Sequence, residues 1–387
     1  MQPENITDSP LFKEAQSLFQ SAFAPGSGRP TNALDVTVSP DGKRVAFTGS
    51  MLERLEGVPT ARVCLVDFQT GDFRVASFGP GTDLGPKFAP GGRLLAFRSD
   101  RASPGNFQVY FLDLVTGETR AAPIVATGWV EYMEFAPDGS HLLLGVAGHG
   151  ADVSGGQGAK TSKRSDTNTS SWMPTVETGN ESFRRRSVWV LAMSDESLRQ
   201  VTPPGLNSWE ACWCGNESIA AVVSEGAAEE QWYRATLVTV GLKTGSVRTL
   251  YQPKDQLGWL SGSPDGRRLA FAEAVCSDRW ILAGDLRIAD LQSSDVQKIA
   301  TRKIDATFTK WRDNQRLLIA GVRSLETVIA TVDAGSQELG ELWCSEQLNC
   351  QGSFYPYAAP CPGDVDDVVI AGSGHLVPPR LLHISGG

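Results

Sequence analysis

Apolar and polar positions along this chain repeat a single pattern: a short apolar strand runs into a turn, and a strand of alternating apolar residues runs out of it. VSPDGKRVAF (38–47) returns as FAPGGRLLAF (88–97), FAPDGSHLLL (135–144) and GSPDGRRLAF (262–271). CWCGNESIAA (212–221) and KWRDNQRLLI (310–319) keep the geometry with other residues, and AAPCPGDVDDVVIA (358–371) is a looser seventh copy. In the Pro-Asp-Gly turn, proline presets φ and glycine accepts φ > 0. A second turn follows in VCLVDFQTGDFRVAS (63–77), VYFLDLVTGETRAAP (109–123) and LVTVGLKTGSVRTLY (237–251), where Thr-Gly joins a third strand to a fourth. Four antiparallel strands per unit make one propeller blade.

The residue before each turn (Ser39, Ala89, Ala136, Trp213, Ser263, Trp311) sets the period, with gaps of 50, 47, 77, 50 and 48. Blades of about 40–50 residues account for all but the third gap, which holds one blade and roughly 29 residues more. The surplus falls in an insertion at 149–186 that begins GHGADVSGGQGAKTSKRSDTNTSS, a Gly/Ser/Thr-rich composition of flexible character. The spacing predicts an all-β, seven-bladed propeller of four-stranded antiparallel blades over residues 35–387. It is preceded by a segment, 1–34, in which SPLFKEAQSLFQSAF reads as an amphipathic helix. The last blade has strands near 368–371 and 380–384 and then reaches Ser385-Gly386-Gly387, where the other blades make their second turn. An incomplete last blade and a longer polypeptide are therefore expected. So is an open edge that recruits the N-terminal segment or forms a homo-oligomer.

Charge narrows the choice of partner. The formal net charge is −9 and the pI about 5.1, which speaks against nucleic acid and anionic membranes. Seven cysteines at irregular spacing read as reduced, mostly buried thiols, and Cys212-x-Cys214 lacks the further ligands a metal site needs. No signal-peptide run and no stretch of 18 apolar residues occurs, so a cytoplasmic location is expected, with no cofactor and no metal.

Three stretches are more specific than the turns: WMPTVETGNESFRRRSVWVL (172–191), SPDGRRLAFAEAVCSDRWILAGDLRIADL (263–291) and GSGHLVPPRLLHI (372–384). Together they resemble the N-terminal propeller of the prolyl oligopeptidase family of serine peptidases, nearest its acylaminoacyl-peptidase-like branch. The Ser-Pro-Asp-Gly turn itself is shared with TolB-like propellers. The resemblance covers residues 35–384. It implies a propeller that caps an α/β-hydrolase catalytic domain, in the same or a separate chain, and restricts substrates to short peptides or acylated amino acids. The catalytic triad would belong to that partner. This chain contains no Gly-x-Ser-x-Gly, and its nearest approach is His383-Ile384-Ser385-Gly386-Gly387. With histidines only at 141, 149, 375 and 383, it offers no Ser/His/Asp constellation, and no catalytic residue is assigned.

Candidate substrate contacts lie in the insertion, because loops on a rigid scaffold carry function. Trp172, Glu177 and Arg185 are the candidates: a carboxylate binds a free α-amino group and an arginine binds a carbonyl or carboxylate. Against this, Glu177 can pair with Arg184-Arg185-Arg186 and merely anchor the loop. Ser99-Asp100-Arg101 and Ser277-Asp278-Arg279 recur in similar loops and read as Asp–Arg pairs that brace them. Trp213 and Trp311 read as packing between blades. The alternative function is a stand-alone propeller that binds a protein or peptide as a scaffold. A propeller enzyme of the lactonase kind would need a cluster of carboxylates around a metal.

Overall fold

The computed structural model describes residues 5–23, 30–51, 59–151, 180–350, 352 and 355–385. Seven antiparallel sheets follow one another along the chain, each built from consecutive strands. Blade 1 is β1 (Leu34–Val38), β2 (Arg44–Met51), β3 (Thr60–Asp67) and β4 (Phe73–Val75). Blade 2 is β5 (Asp83–Phe88), β6 (Leu94–Ser99), β7 (Gln108–Asp113) and β8 (Thr119–Ala121). Blade 3 is β9 (Gly128–Phe135), β10 (His141–Gly148), β11 (Ser187–Ala192) and β12 (Leu198–Gln200). Blade 4 is β13 (Asn207–Cys214), β14 (Ser218–Ser224), β15 (Thr236–Gly241) and β16 (Val247–Tyr251). Blade 5 is β17 (Gln256–Gly262), β18 (Arg268–Ala274), β19 (Asp285–Asp290) and β20 (Val296–Lys298). Blade 6 is β21 (Asp305–Trp311), β22 (Arg316–Arg323), β23 (Glu326–Asp333) and β24 (Leu339–Ser345). Blade 7 is three tiers deep: β25 (Asn349–Cys350) and β26 (Ala359–Pro360) share the inner edge of β27 (Val368–Gly374), and β28 (Val377–Ile384) lies outside it. A helix, α1 (Pro10–Phe23), precedes the ring with Leu11 and Leu18 more than two-thirds exposed. Among the described residues no helix is long and apolar enough to cross a membrane.

The repeated turns work as their composition requires. Gly42, Gly92, Gly139 and Gly266 hold φ between 70° and 73°, and the Ser39 and Ser263 hydroxyls each donate to the turn aspartate, Asp41 or Asp265, at 2.6 Å. Apolar faces of neighbouring sheets pack on each other, so the core is a series of layers between blades rather than one centre. Trp213 and Trp311 sit in those layers, and their indole N–H groups donate to the Glu134 and Ser261 carbonyls of the preceding blade at 2.9 and 2.8 Å. The same kind of layer closes the ring: Val36 and Phe47 of blade 1 pack with Ala359, Val369 and Ala371 of blade 7, and the Tyr357 hydroxyl donates to the Val36 carbonyl at 2.9 Å. Among the described residues the first and last sheets share no strand.

The two Asp–Arg loops correct the sequence reading. Arg101 pairs with Asp83 at 2.9 Å and lies over the Tyr110 ring, while Asp100 accepts the backbone N–H groups of Thr82 and Gly105. Arg279 turns away from Asp278 and reaches Glu131, two blades off. Each arginine finds its acid on another segment because a long side chain joins separate elements, whereas Asp100 is taken by backbone N–H groups and Asp278 by the Ser277 hydroxyl.

Candidate functional site: the central channel

Six of the seven inner strands carry a β-bulge near their start, with one extra residue opposite the second strand. A bulge twists the strand and re-aims its side chains. Here it turns Asp35, Lys87, Glu131, Glu210, Trp259 and Thr307 toward the axis, where they line one cavity of about 400 Å³ with residues from every blade. Asp35, Gly85 and Trp259 occupy equivalent bulge positions with φ of 52°, 61° and 61°. Glycine is at ease there, whereas a tryptophan is held only by its surroundings. The Trp259 indole donates to the Leu282 carbonyl at 2.6 Å, and its ring faces Trp280, itself at φ 76°, with centroids 6.3 Å apart. Tyr132 meets Trp280 edge-on at 6.2 Å. Gly145 makes room for Tyr132: a Cβ at that position would lie 2.1 Å from the tyrosine ring.

Charge is concentrated on the same ring of positions. The Glu131 carboxylate takes Arg186 and Arg279, each at 3.0 Å, and both guanidiniums lie over the Trp209 ring. Arg279 also donates to the Trp209 carbonyl at 2.8 Å. Burial pushes the Glu131 carboxyl upward, but the two arginines more than offset it and hold it below its usual range. One layer further toward the Pro-Asp-Gly turns, Lys310 of blade 6 meets Glu134 of blade 3 across the channel. Arg98 donates to the Glu131 carbonyl, and Asp35 accepts from the Thr48 hydroxyl at 2.8 Å. Burial lowers the pKa of Lys87, against the pull of Asp35. Among the described residues no three His, Cys, Asp or Glu side chains gather as a metal site would require.

Glu210 behaves differently. It accepts the backbone N–H groups of Trp259 and Leu260 at 3.0 and 2.6 Å, yet burial dominates and pushes its carboxyl up to about 7. Its folded pKa is thus above the unfolded one, so the protonated form favours the fold. That contribution is complete below about pH 4.5 and is lost as pH rises through 7. Relative to a Glu210→Gln variant, the wild type should lose about 3 kcal/mol of stability between pH 4.5 and 8. Thermal melts of both proteins across that range read the difference, and a constant difference would show that Glu210 ionises normally.

Of the residues singled out from sequence, Trp172 and Glu177 lie outside the described residues. Arg185 is part-exposed, and its Nε donates to the Glu225 carbonyl at 3.3 Å. It lies just before β11, on the rim where second strands connect to third strands, the rim at which the inner strands begin and the cavity lies. Its neighbour Arg186 is the channel residue, bound to Glu131. The readable signal for the channel was a charged residue inside an apolar inner strand, as in GPKFAPGG, WVEYMEFAPDG and SWEACWC.

No protein-family model matches the chain. In sequence it is 25% identical over 241 residues to the uncharacterized peptidase YuxL of Bacillus subtilis, covering 62% of this chain and 29% of that protein. In structure it superposes on the propeller domain of the trilobed protease from Pyrococcus furiosus with a TM-score of 0.59, at 12% identity, over 93% of this chain and 97% of that one. It superposes on Pyrococcus horikoshii acylaminoacyl peptidase with a TM-score of 0.61, at 14% identity, over 91% of this chain and 50% of that one. The resemblance to the prolyl oligopeptidase peptidases stands. This chain spans less than a third of its curated relative and half of the acylaminoacyl peptidase chain. The trilobed-protease domain has an open velcro topology; in this chain, among the described residues, blade 7 meets blade 1 through the apolar seam and the Tyr357–Val36 hydrogen bond, with no shared strand.

Proposed function

We propose that this propeller screens substrates for an α/β-hydrolase domain, carried in the same or a separate chain, that cleaves short peptides or acylated amino acids. The observation that supports it most is the difference between the two rims. On the rim of the second-to-third and fourth-to-first connections, Phe78, Ile124, Phe183, Tyr233, Val275, Leu325 and Leu376 are exposed, one from each successive blade or blade junction. Five of them are 40–90% exposed on the connections of blades 3 to 7. The opposite rim carries the Pro-Asp-Gly and Thr-Gly turns, where Phe73, Val115 and Val247, on blades 1, 2 and 4, are the exposed large apolar residues among the described ones. An apolar crown around a channel mouth is the surface a second domain would cover. Bound there, it would place its active site over the cavity and behind the ring, so that chain size decides access.

Trp172, Glu177 and Arg185 remain our candidates for contacts with such a substrate, since the insertion leaves the ring on that rim. The test uses the propeller with an α/β-hydrolase domain of a prolyl-oligopeptidase-type peptidase, joined or mixed. Turnover of an acetyl-aminoacyl anilide should be retained and that of casein suppressed at least tenfold relative to the hydrolase domain alone. Equal ratios of the two rates with and without the propeller would overturn the screening role and favour a stand-alone binding propeller.

A further inference from the structure

The cavity in the channel has a chemistry of its own. In and around it, five cations (Lys87, Arg98, Arg186, Arg279 and Lys310) face four carboxylates (Asp35, Glu131, Glu134 and Glu210). The channel is therefore a positive spot within a chain of net charge −9. Three of the cations are committed: Arg186 and Arg279 to Glu131, and Lys310 to Glu134. Lys87 and Arg98, side by side on blade 2, are not paired with a carboxylate among the described residues, although both line the cavity. The same cavity has an aromatic wall made by Tyr132, Trp259 and Trp280. Trp129 also lines the cavity and is 7% exposed.

We propose that this cavity binds a small organic carboxylate bearing an aromatic or apolar group, with the carboxylate between Lys87 and Arg98 and the ring against Tyr132, Trp259 and Trp280. Ammonium and guanidinium donors make their strongest hydrogen bonds to carboxylates. A cavity of about 400 Å³ suits one amino-acid derivative or a very short peptide. A ligand carboxylate beside Lys87 would also oppose the burial that lowers its pKa. The site belongs to this chain alone, so its test does not depend on any hydrolase partner.

Calorimetry on the whole chain with N-acetyl-phenylalanine, its amide, and phenylalanine amide decides the matter. The acid should bind one-to-one, and its neutral amide at least tenfold more weakly. Lys87→Met should reduce the acid to the level of the amide, and Trp280→Ala should weaken both. Because the comparison of acid with amide needs no variant, a substitution that fails to fold leaves the test intact. Equal affinity for acid and amide, tighter binding of the cationic phenylalanine amide, or no binding of the acid at millimolar concentration would each overturn the proposal.

Discussion

Glu131→Ala should destabilise the propeller by about 3–5 kcal/mol, the cost of removing one partner from a buried ion pair. The carboxylate is 6% exposed and the two arginine side chains are 3% and 6% exposed, so the pair is shielded from bulk water. Its loss would leave Arg186 of blade 3 and Arg279 of blade 5 facing each other over Trp209 of blade 4. The indole face attracts cations, but at roughly 0.5–2 kcal/mol it cannot take the place of a shared carboxylate. Three blades would lose their common anchor at the channel mouth. The sign of the pH dependence follows from the lowered pKa of Glu131. Its contribution is present above the ordinary carboxylate range and is lost as pH falls through the folded value. Urea unfolding at pH 7 should show the full deficit, and at pH 3 a smaller one. Glu131→Gln, which keeps an acceptor, should fall between the two. A deficit below about 1 kcal/mol at pH 7 would mean that the arginines find other partners, as exposed pairs do.

Repeats were legible because a blade is a local object. The turn chemistry of SPDG, the alternation of strands such as RLAFAEA and the interval between copies all lie within one stretch of chain, so the seven blades could be counted before any contact was known. Trp213 and Trp311 could be placed between blades for the same reason, since they fall at a repeat position whose sister residues are small. The channel was not legible in that way. Glu131 meets Arg279 across 148 residues of sequence, and Lys310 meets Glu134 across 176. No local pattern states such a pairing. The bulge that turns these side chains inward also breaks the two-residue alternation on which strand reading rests. Asp100 and Asp278 misled because adjacency in sequence stood in for adjacency in space. Trp259 and Trp280 gave no warning of positive φ, as that property belongs to the assembled ring.

The last blade leads to a second large effect. A designed extension that carries β28 through a two-residue turn into a strand of about five or six residues should raise the melting temperature by a few degrees and suppress self-association. Blades 1 to 6 each place a fourth strand on their outer edge, whereas β28 pairs with β27 alone among the described residues. Pro378 and Pro379 have no N–H to offer, so they blunt the first half of that edge. The open half is Arg380 to Ile384, where Leu382 and Ile384 pack on the apolar layer between blades 6 and 7 and stay half-covered. Covering them more fully is worth about 1–2 kcal/mol each by area, against which stands the entropy of ordering the added strand. The added strand must therefore be matched to Arg380–Ile384, with apolar residues on the face of Leu382 and Ile384. A control strand of the same length shifted by one residue presents its polar face there and should give no gain. Light scattering and thermal melts on the two extended proteins and on the present chain separate these outcomes. Equal melting points and equal monomer fractions in all three would mean that the edge of blade 7 needs no partner, because the seam of Val36, Phe47, Ala359 and Val369 holds the ring without it.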